Sequence, residues 1–472
     1  GYITSDCWAI SDFIYGHKTH KDSISASSDA VLHGTDLECG NVYRSLTEAV
    51  EAGMITEDQI DISLKKLLKI QFRLGMFDPQ DKVPYSKIGA EVLESKPHQQ
   101  QALKMARQSM VLLKNEKQLL PLSSKIKKIA LLGPNANNGT TQLGNYNGIP
   151  SKNATLLDAL RAEKGIEVVY DSISDFITLQ PGIDLQHYAE KYKDVDLIIY
   201  AGGISALLEG EEGDTGNVEG FYRGDRTTIN LPAVQTQVMQ MLQKSGKPMI
   251  FICMSGSAIA FNWESQHIPA IIQAWYGGQA TGTALADILF GRYNPSGKLP
   301  ITFYRSDSDL PAIEDYSMKN RTYRYFNGDV LYPFGYGLSF TKFKFKKLNV
   351  PQEVQIGDTI NISTEVVNTG KSAGEEVVQL YLSHKDIAPE APNSQLVGFQ
   401  KVMLQPGERK IVHFKLSPRN LAYVDETGGV NTMPGKIKVY IGNVCPNAPE
   451  RFTSGVLSTT MELKGKPLYF MY

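Results

Sequence analysis

The chain has 472 residues, 42% of them hydrophobic and 21% charged, with a formal net charge of −2. Such a balance excludes a protein built to hold nucleic acid, which needs a basic surface excess, and no apolar run approaches the roughly 20 residues that cross a bilayer. The four cysteines, Cys7, Cys39, Cys253 and Cys445, are too sparse for a disulfide scaffold and include no CxxC pair for structural zinc.

In chain order, Tyr2, Ile3 and Thr4 begin an apolar, β-branched run that reads as a strand. A chain that opens this way is expected to be a mature, processed or truncated one. Residues 26–32 and 43–52 have helical composition, with a short strand or turn at Gly34-Thr35-Asp36-Leu37 between them. Thr56 and Gln59 form a capping box, and Ile60, Leu64, Leu67, Leu68 and Phe72 follow on one face at helical spacing. Gly75 suits the C-cap and Pro79 ends the element. The segment 79–98 is polar, contains three prolines and reads as a linker. A helix then runs from near Gln99 into Met110-Val111-Leu112-Leu113. Apolar runs at 129–132, 197–200 and 249–253 read as parallel strands, separated by helices such as 233–242. Tyr323, Tyr325, Phe326, Tyr332, Phe334, Tyr336 and Phe340 mark an aromatic connector suited to interdomain packing. From Thr341 the pattern changes to short alternating strands, at 359–367, 376–382, 410–415 and 436–441, with turn signals between them, as in a β-sandwich.

Two acidic positions could carry chemistry. Asp6 directly follows the first strand, where β/α barrels place catalytic groups, but an Asp there also suits a helix N-cap. Trp8 beside it reads either as a sugar platform or as a barrel-rim core residue. Glu209-Gly210-Glu211-Glu212-Gly213-Asp214 is a glycine-flanked acidic loop after the strand ending at Tyr200. Crowded carboxylates raise one another's pKa and suit a proton donor, whereas the plainer reading is a solvated loop. Asp225-Arg226 reads as local pairs or a cap, and Ser255-Gly256-Ser257 as a helix start. The loop after residue 132 lacks GxGxxG and GK[ST], so nucleotide binding is a weak rival. His17 and His20 read as solvated or hydrogen-bonded rather than metal ligands. Cys7 and Cys39 lie at predicted strand ends and could touch, as a disulfide or as a thiol contact.

Tyr2-Ile3-Thr4-Ser5-Asp6 with Gly34-Thr35-Asp36-Leu37-Glu38-Cys39-Gly40 resembles the end of the catalytic barrel of glycoside hydrolase family 3. The Ser-Asp-Cys variant is most similar to its β-xylosidase and α-L-arabinofuranosidase members. Gly133-Pro134-Asn135-Ala136-Asn137, Ala274-Trp275-Tyr276-Gly277-Gly278-Gln279, Asn294-Pro295-Ser296-Gly297-Lys298-Leu299-Pro300 and Tyr332-Pro333-Phe334-Gly335-Tyr336-Gly337 extend the resemblance along nearly the whole chain.

The resemblance implies an α/β multidomain protein. Its parts are the end of a TIM-type β/α barrel at 1–78, a linker at 79–98, an α/β sandwich domain at 99–310, a linker at 311–340 and a fibronectin-type-III-like β-sandwich at 341–472. It implies an exo-acting retaining hydrolase that releases terminal β-linked sugars, xylose first among them, with Asp6 as nucleophile and Glu211 as acid/base. Glu209 and Glu212 are rivals for that second role, and Trp8 is the substrate-binding candidate. Two protein carboxyls do the chemistry, so no metal and no organic cofactor is expected. The expected partner is an oligosaccharide or an aryl or alkyl glycoside, with no nucleic acid and no membrane. A secreted or periplasmic location follows. The first six strands of a family barrel, and its Lys-His and Arg type sugar clamps, have no match here. An upstream barrel segment or a homo-oligomer is therefore a further expectation, and the chain alone is expected to hydrolyse glycosides poorly. A β-glucosidase of the same family, and a non-catalytic carbohydrate-binding or scaffold fragment with Asp6 idle, are the alternatives.

Overall fold

The computed structural model describes residues 1–210 and 217–470. They divide into two compact units, Gly1–Ser95 and Lys96–Tyr472.

The first unit carries helices α1 (Ser23–Leu32), α2 (Leu46–Glu51) and α3 (Glu57–Arg73). Asp22 caps α1 through the Ser25 amide at 2.8 Å. Thr56 and Gln59 form the expected capping box of α3, with Thr56 N donating to Gln59 Oε1 at 3.0 Å and Gln59 N donating to Thr56 Oγ1 at 3.3 Å. The predicted opening strand is reduced to one parallel bridge, Thr4 to Leu37. Among the described residues its backbone hydrogen bonds go to residues 36–39 and no sheet ladder is built there. The apolar stripe of α3 also departs from expectation. Ile60 packs with Val31, Ala49 and Ile55, but Leu64, Leu68 and Phe72 are 45%, 37% and 64% exposed. Ser63, off the stripe, is buried instead and donates to the buried carboxylate of Asp36. Three 3₁₀ turns, Gln80–Lys82, Pro84–Lys87 and Ala90–Val92, close the unit.

The second unit opens on α4 (Lys96–Ser109). The apolar residues expected to extend this helix instead form strand β1 (Val111–Asn115). Val111, Leu112 and Leu113 are fully buried, and they pair antiparallel to a later strand. Five more strands follow: β2 (Lys128–Leu132), β3 (Glu167–Asp171), β4 (Leu197–Gly203), β5 (Met249–Met254) and β6 (Ala270–Gln273). They lie in the order β1-β6-β5-β4-β2-β3, all parallel except β1. One face buries Leu132, Tyr200 and Phe251 under α6 (Ala233–Gln243). The other buries Leu131, Ile199 and Ile252 under α5 (Leu156–Arg161) and α7 (Thr281–Leu289). Each such Leu, Ile or Phe contributes about 1.5–3 kcal/mol. The order reverses at β2: the chain runs outward to β3, then crosses back to β4. That reversal opens a crevice above the carboxyl ends of β2 and β4.

The same unit continues into a β-sandwich. Strands β7 (Phe343–Asn349), β8 (Glu353–Gln355), β9 (Ile360–Asn368), β10 (Gly374–Ser383), β11 (Gln395–Leu404), β12 (Arg409–Leu416), β13 (Gly435–Gly442) and β14 (Leu457–Lys464) build it. One sheet runs β8-β14-β13-β10-β11 and the other β12-β9-β7. Along β12, buried Val412, Phe414 and Leu416 alternate with exposed residues, the period-2 signature of one covered face. The aromatic connector packs onto the sandwich as expected. Tyr323 stacks on Phe334 with ring centroids 4.1 Å apart and meets Tyr381 edge-on, and Tyr336 meets Phe452 edge-on. Lys298 Nζ lies 2.8 Å from Glu376 Oε1, with the two side chains only 10% and 3% exposed. Gly337 O and Asn443 Nδ2 complete the pair.

Removing one partner strands the other charge in the interior. Lys298→Ala is expected to cost about 3–5 kcal/mol in a urea titration, and Lys298→Ala/Glu376→Leu to recover part of it. His384 gives a pH test. Its Nε2 sits 2.9 Å from Leu421 O, and burial lowers its pKa to about 4. The unfolded imidazole takes up its proton near pH 6.5. Between the two values the unfolded chain binds more protons, so stability falls as pH drops from about 6.5 to about 4, by up to ~3 kcal/mol. His384→Gln is expected to flatten that slope.

Candidate active site

In the first unit, the segment 1–8 is pinned against 35–39. Ser5 N donates to Leu37 O at 2.9 Å, Trp8 N to Cys39 O at 2.7 Å, and Cys39 N to Ser5 Oγ at 3.0 Å. Asp36 is the anchor. Its carboxylate accepts from Ile3 N at 2.9 Å and from Ser63 Oγ and Lys66 Nζ at 2.8 Å each. Burial raises this carboxyl, but the donors from Lys66, Ile3 and Ser63 outweigh it and hold the pKa below the usual carboxylate value. Cys7 and Cys39 form a disulfide, with Cα atoms 4.4 Å apart.

Asp6 therefore sits beside a cross-link on an anchored segment. It is exposed, and its Oδ1 accepts from Cys7 N at 2.8 Å. It is not a helix cap: the short helix Ala9–Asp12 begins at Trp8, without a side-chain cap. Trp8 has φ 67° and is 59% exposed, so it is not a buried rim residue.

In the second unit, the acidic loop leaves the carboxyl end of β4. Glu211 and Glu212 lie outside the described residues. Glu209 is held closely by the loops that follow β5 and β6. Its Oε1 accepts from the Gly256 amide and from Tyr276 Oη, the latter at 2.6 Å, and its Oε2 accepts from Ser257 Oγ. Glycine at 256 leaves room for this contact: an added Cβ would lie 2.9 Å from Glu209 Oε1 and 3.2 Å from the Tyr276 ring, so the Glu209 carboxylate would have to shift. Burial and then the Glu209 charge push the Tyr276 phenol far up, so it remains a donor. Arg226 Nη1 donates to Ser257 Oγ and Ala258 O, both at 2.8 Å. Its Nε and Nη2 are buried with no hydrogen-bond partner among the described residues. Burial lowers its pKa, and the Glu209 carboxylate opposes that shift. Beneath lies Cys253, whose thiol burial pushes up to about 12, leaving it inert. Across the sheet-order reversal, Asn135 Nδ2 donates to Gly202 O at 3.0 Å and to Ile204 O at 3.3 Å, tying the loop after β2 to the end of β4.

Two sequence readings change here. Arg226 makes long-range bonds rather than local pairs, and Ser257 serves Glu209 rather than starting a helix. Tyr276 is a polar contributor that the sequence shows only as part of the Ala274-Trp275-Tyr276-Gly277-Gly278-Gln279 motif, three residues beyond the end of β6.

Comparison with known proteins follows this geometry. The description "Glycosyl hydrolase family 3 C-terminal domain" matches residues 110–340, and "Fibronectin type III-like domain" matches 376–444. The chain is 33% identical to "Xylan 1,4-beta-xylosidase" of Xylanibacter ruminicola, over 93% of this chain and 68% of that protein. It belongs to glycoside hydrolase family 3. Within the family it is also 32% identical to "Periplasmic beta-glucosidase" of Salmonella typhimurium, over 94% of this chain and 61% of that protein. A family 3 exo-beta-xylosidase solved with a xylobiose aziridine activity-based probe superposes with TM-score 0.84 at 26% identity, over 100% of this chain and 62% of that one. A beta-glucosidase from Listeria innocua, solved with isofagomine, gives 0.83 at 26% identity, over 99% and 64%. The chain thus spans roughly three-fifths to two-thirds of these family members.

The cross-link next to Asp6 joins residues 32 apart in sequence, a loop whose closure stabilises by about 3–4 kcal/mol in the chain-entropy account. Cys39→Ser is expected to speed amide exchange at Cys7 and Trp8 and to leave exchange in β4 and β5 unchanged, read by hydrogen-exchange mass spectrometry.

Proposed function

We propose that the chain supplies both reacting carboxyls of an exo-acting retaining β-glycosidase that releases terminal β-linked sugars, with xylose as the preferred sugar. The single observation that carries this is Asp6: an exposed carboxylate on a segment locked by a disulfide and by the Asp36 anchor. Its chemistry is direct. An Asp6 oxygen attacks the anomeric carbon as the glycosidic bond breaks, and Glu211 gives its proton to the leaving oxygen. Water then attacks the glycosyl ester, Glu211 takes the water proton, and Asp6 leaves as a free carboxylate. Trp8, exposed beside the nucleophile, offers an apolar ring to the sugar face. The domains are taken as 1–78, 99–310 and 341–472, joined by 79–98 and 311–340.

The likeness to the Xylanibacter xylosidase supports xylose, and the likeness to the Salmonella enzyme keeps glucose as the second reading. Among the described residues no helix is long and apolar enough to cross a membrane. A secreted or periplasmic location fits the relative named as periplasmic and the disulfide.

A 2-deoxy-2-fluoro xyloside with a good leaving group tests the reading, on this chain and on a version extended upstream to a full barrel. Peptide mass spectrometry is expected to find the label on Asp6. A label elsewhere overturns the nucleophile assignment. A label from the fluoro-glucoside alone moves the substrate to glucose.

A further inference from the structure

We propose that Glu209 is the anchor of the acidic loop rather than its proton donor, and that Glu209, Tyr276, Ser257 and Arg226 are positioning residues for the acid/base. The inference rests on the reading of Glu211 as that group.

A general acid must hold a proton and present it to the leaving oxygen. Glu209 does the opposite. The Gly256 amide can only donate, and it donates to Oε1. The Tyr276 hydroxyl donates to the same oxygen at 2.6 Å. Ser257 Oγ already accepts from Arg226 Nη1 at 2.8 Å, so its own proton is directed at Glu209 Oε2. Both oxygens of Glu209 are thus occupied as acceptors, which leaves neither free to present a proton to a leaving oxygen, and Ser257 links the same carboxylate to the Arg226 guanidinium.

The connections also define a clamp. Glu209 lies on the limb of the loop that leaves β4, two positions before Glu211 in sequence. Arg226 lies on the limb that returns. The two meet on one hydroxyl, that of Ser257, which takes a hydrogen bond from Arg226 and gives one to Glu209. Tyr276 fixes the same carboxylate from the loop after β6. A shift of about 1 Å at a reacting group costs on the order of 10²-fold, so loosening an anchor in this loop is expected to slow the step that needs its acid.

The test separates protonation from folding by leaving group, on whichever form, this chain or the version extended to a full barrel, is labelled at Asp6, and with the sugar that labels it. A dinitrophenyl glycoside needs almost no acid assistance, whereas the disaccharide needs it fully. Tyr276→Phe removes one oxygen and should leave the melting temperature within a few degrees. Tyr276→Phe and Glu209→Gln are expected to lose about 10- to 100-fold in kcat on the disaccharide, to keep kcat/KM on the dinitrophenyl glycoside within about threefold, and to gain nothing from azide. Glu211→Gln should lose about 10²- to 10⁴-fold on the disaccharide and yield glycosyl azide when azide is added. Glycosyl azide from Glu209→Gln would make Glu209 the acid and overturn the proposal. Equal losses on both substrates, or none, in Tyr276→Phe would also overturn it. A Glu211→Gln enzyme with full disaccharide activity would instead fail the acid assignment, while the leaving-group dependence of Tyr276→Phe still decides the clamp.

Discussion

A parallel sheet buried on both faces leaves polar chemistry one place to go, the ends of its strands. Strands β4, β5 and β6 are apolar along nearly their whole length, and their side chains fill two cores on opposite faces. Most polar groups at the candidate site of the second unit lie beyond the strand ends, Asn135 after β2, Glu209 after β4, Gly256 and Ser257 after β5, and Tyr276 after β6, and Arg226 reaches them from the segment between β4 and α6. The reversal of strand order at β2 makes that edge a crevice instead of a flat rim. Cys253 shows the contrast. It is a potential nucleophile by type, but it sits within β5, buried and held as a neutral thiol.

The β-sandwich is tied to this layer by polar groups as much as by apolar ones. Lys298 and Glu376 form a buried ion pair in which Lys298 also donates to Gly337 O, and Glu376 also accepts from Asn443 Nδ2 and Val377 N. Glu375 adds a second link by accepting from Ser296 Oγ at 3.0 Å, and Lys401 reaches the same hydroxyl from β11. Ion pairs of this kind contribute little net stability compared with apolar contacts, but they tolerate few alternative arrangements. Around them the rings of Tyr323, Phe334 and Tyr381 supply the apolar area.

Local signals in the sequence translated well. The Thr56–Gln59 box, helix α6 and strands β2, β4 and β5 all rest on patterns spanning a few residues, and such patterns survive folding. Strands β1, β3 and β6 were less legible. The apolar run of β1 continues directly from a helix and does not distinguish a strand from a helix end, β3 at the sheet edge is only partly buried, and β6 has four residues. The stripe on α3 misled for a different reason: periodicity shows that a face is apolar, not that something covers it. The partners of Glu209 were beyond reach, because they lie 47, 48 and 67 residues away and depend on the sheet order that brings β4, β5 and β6 together. The disulfide was legible as a question, since two cysteines at strand ends show proximity without showing which bond they make.

Gly256 constrains how this protein can change. With no room for a Cβ between the Glu209 carboxylate and the Tyr276 ring, any other residue there has to displace one or both. Sequence drift and laboratory evolution are therefore steered away from the floor of the site and toward its rim. Exposed positions such as Glu219 and Tyr222, on the limb that returns to Arg226, can vary without meeting the Glu209 carboxylate. New side chains can arise there while the hydrogen-bonded floor beneath is inherited unchanged.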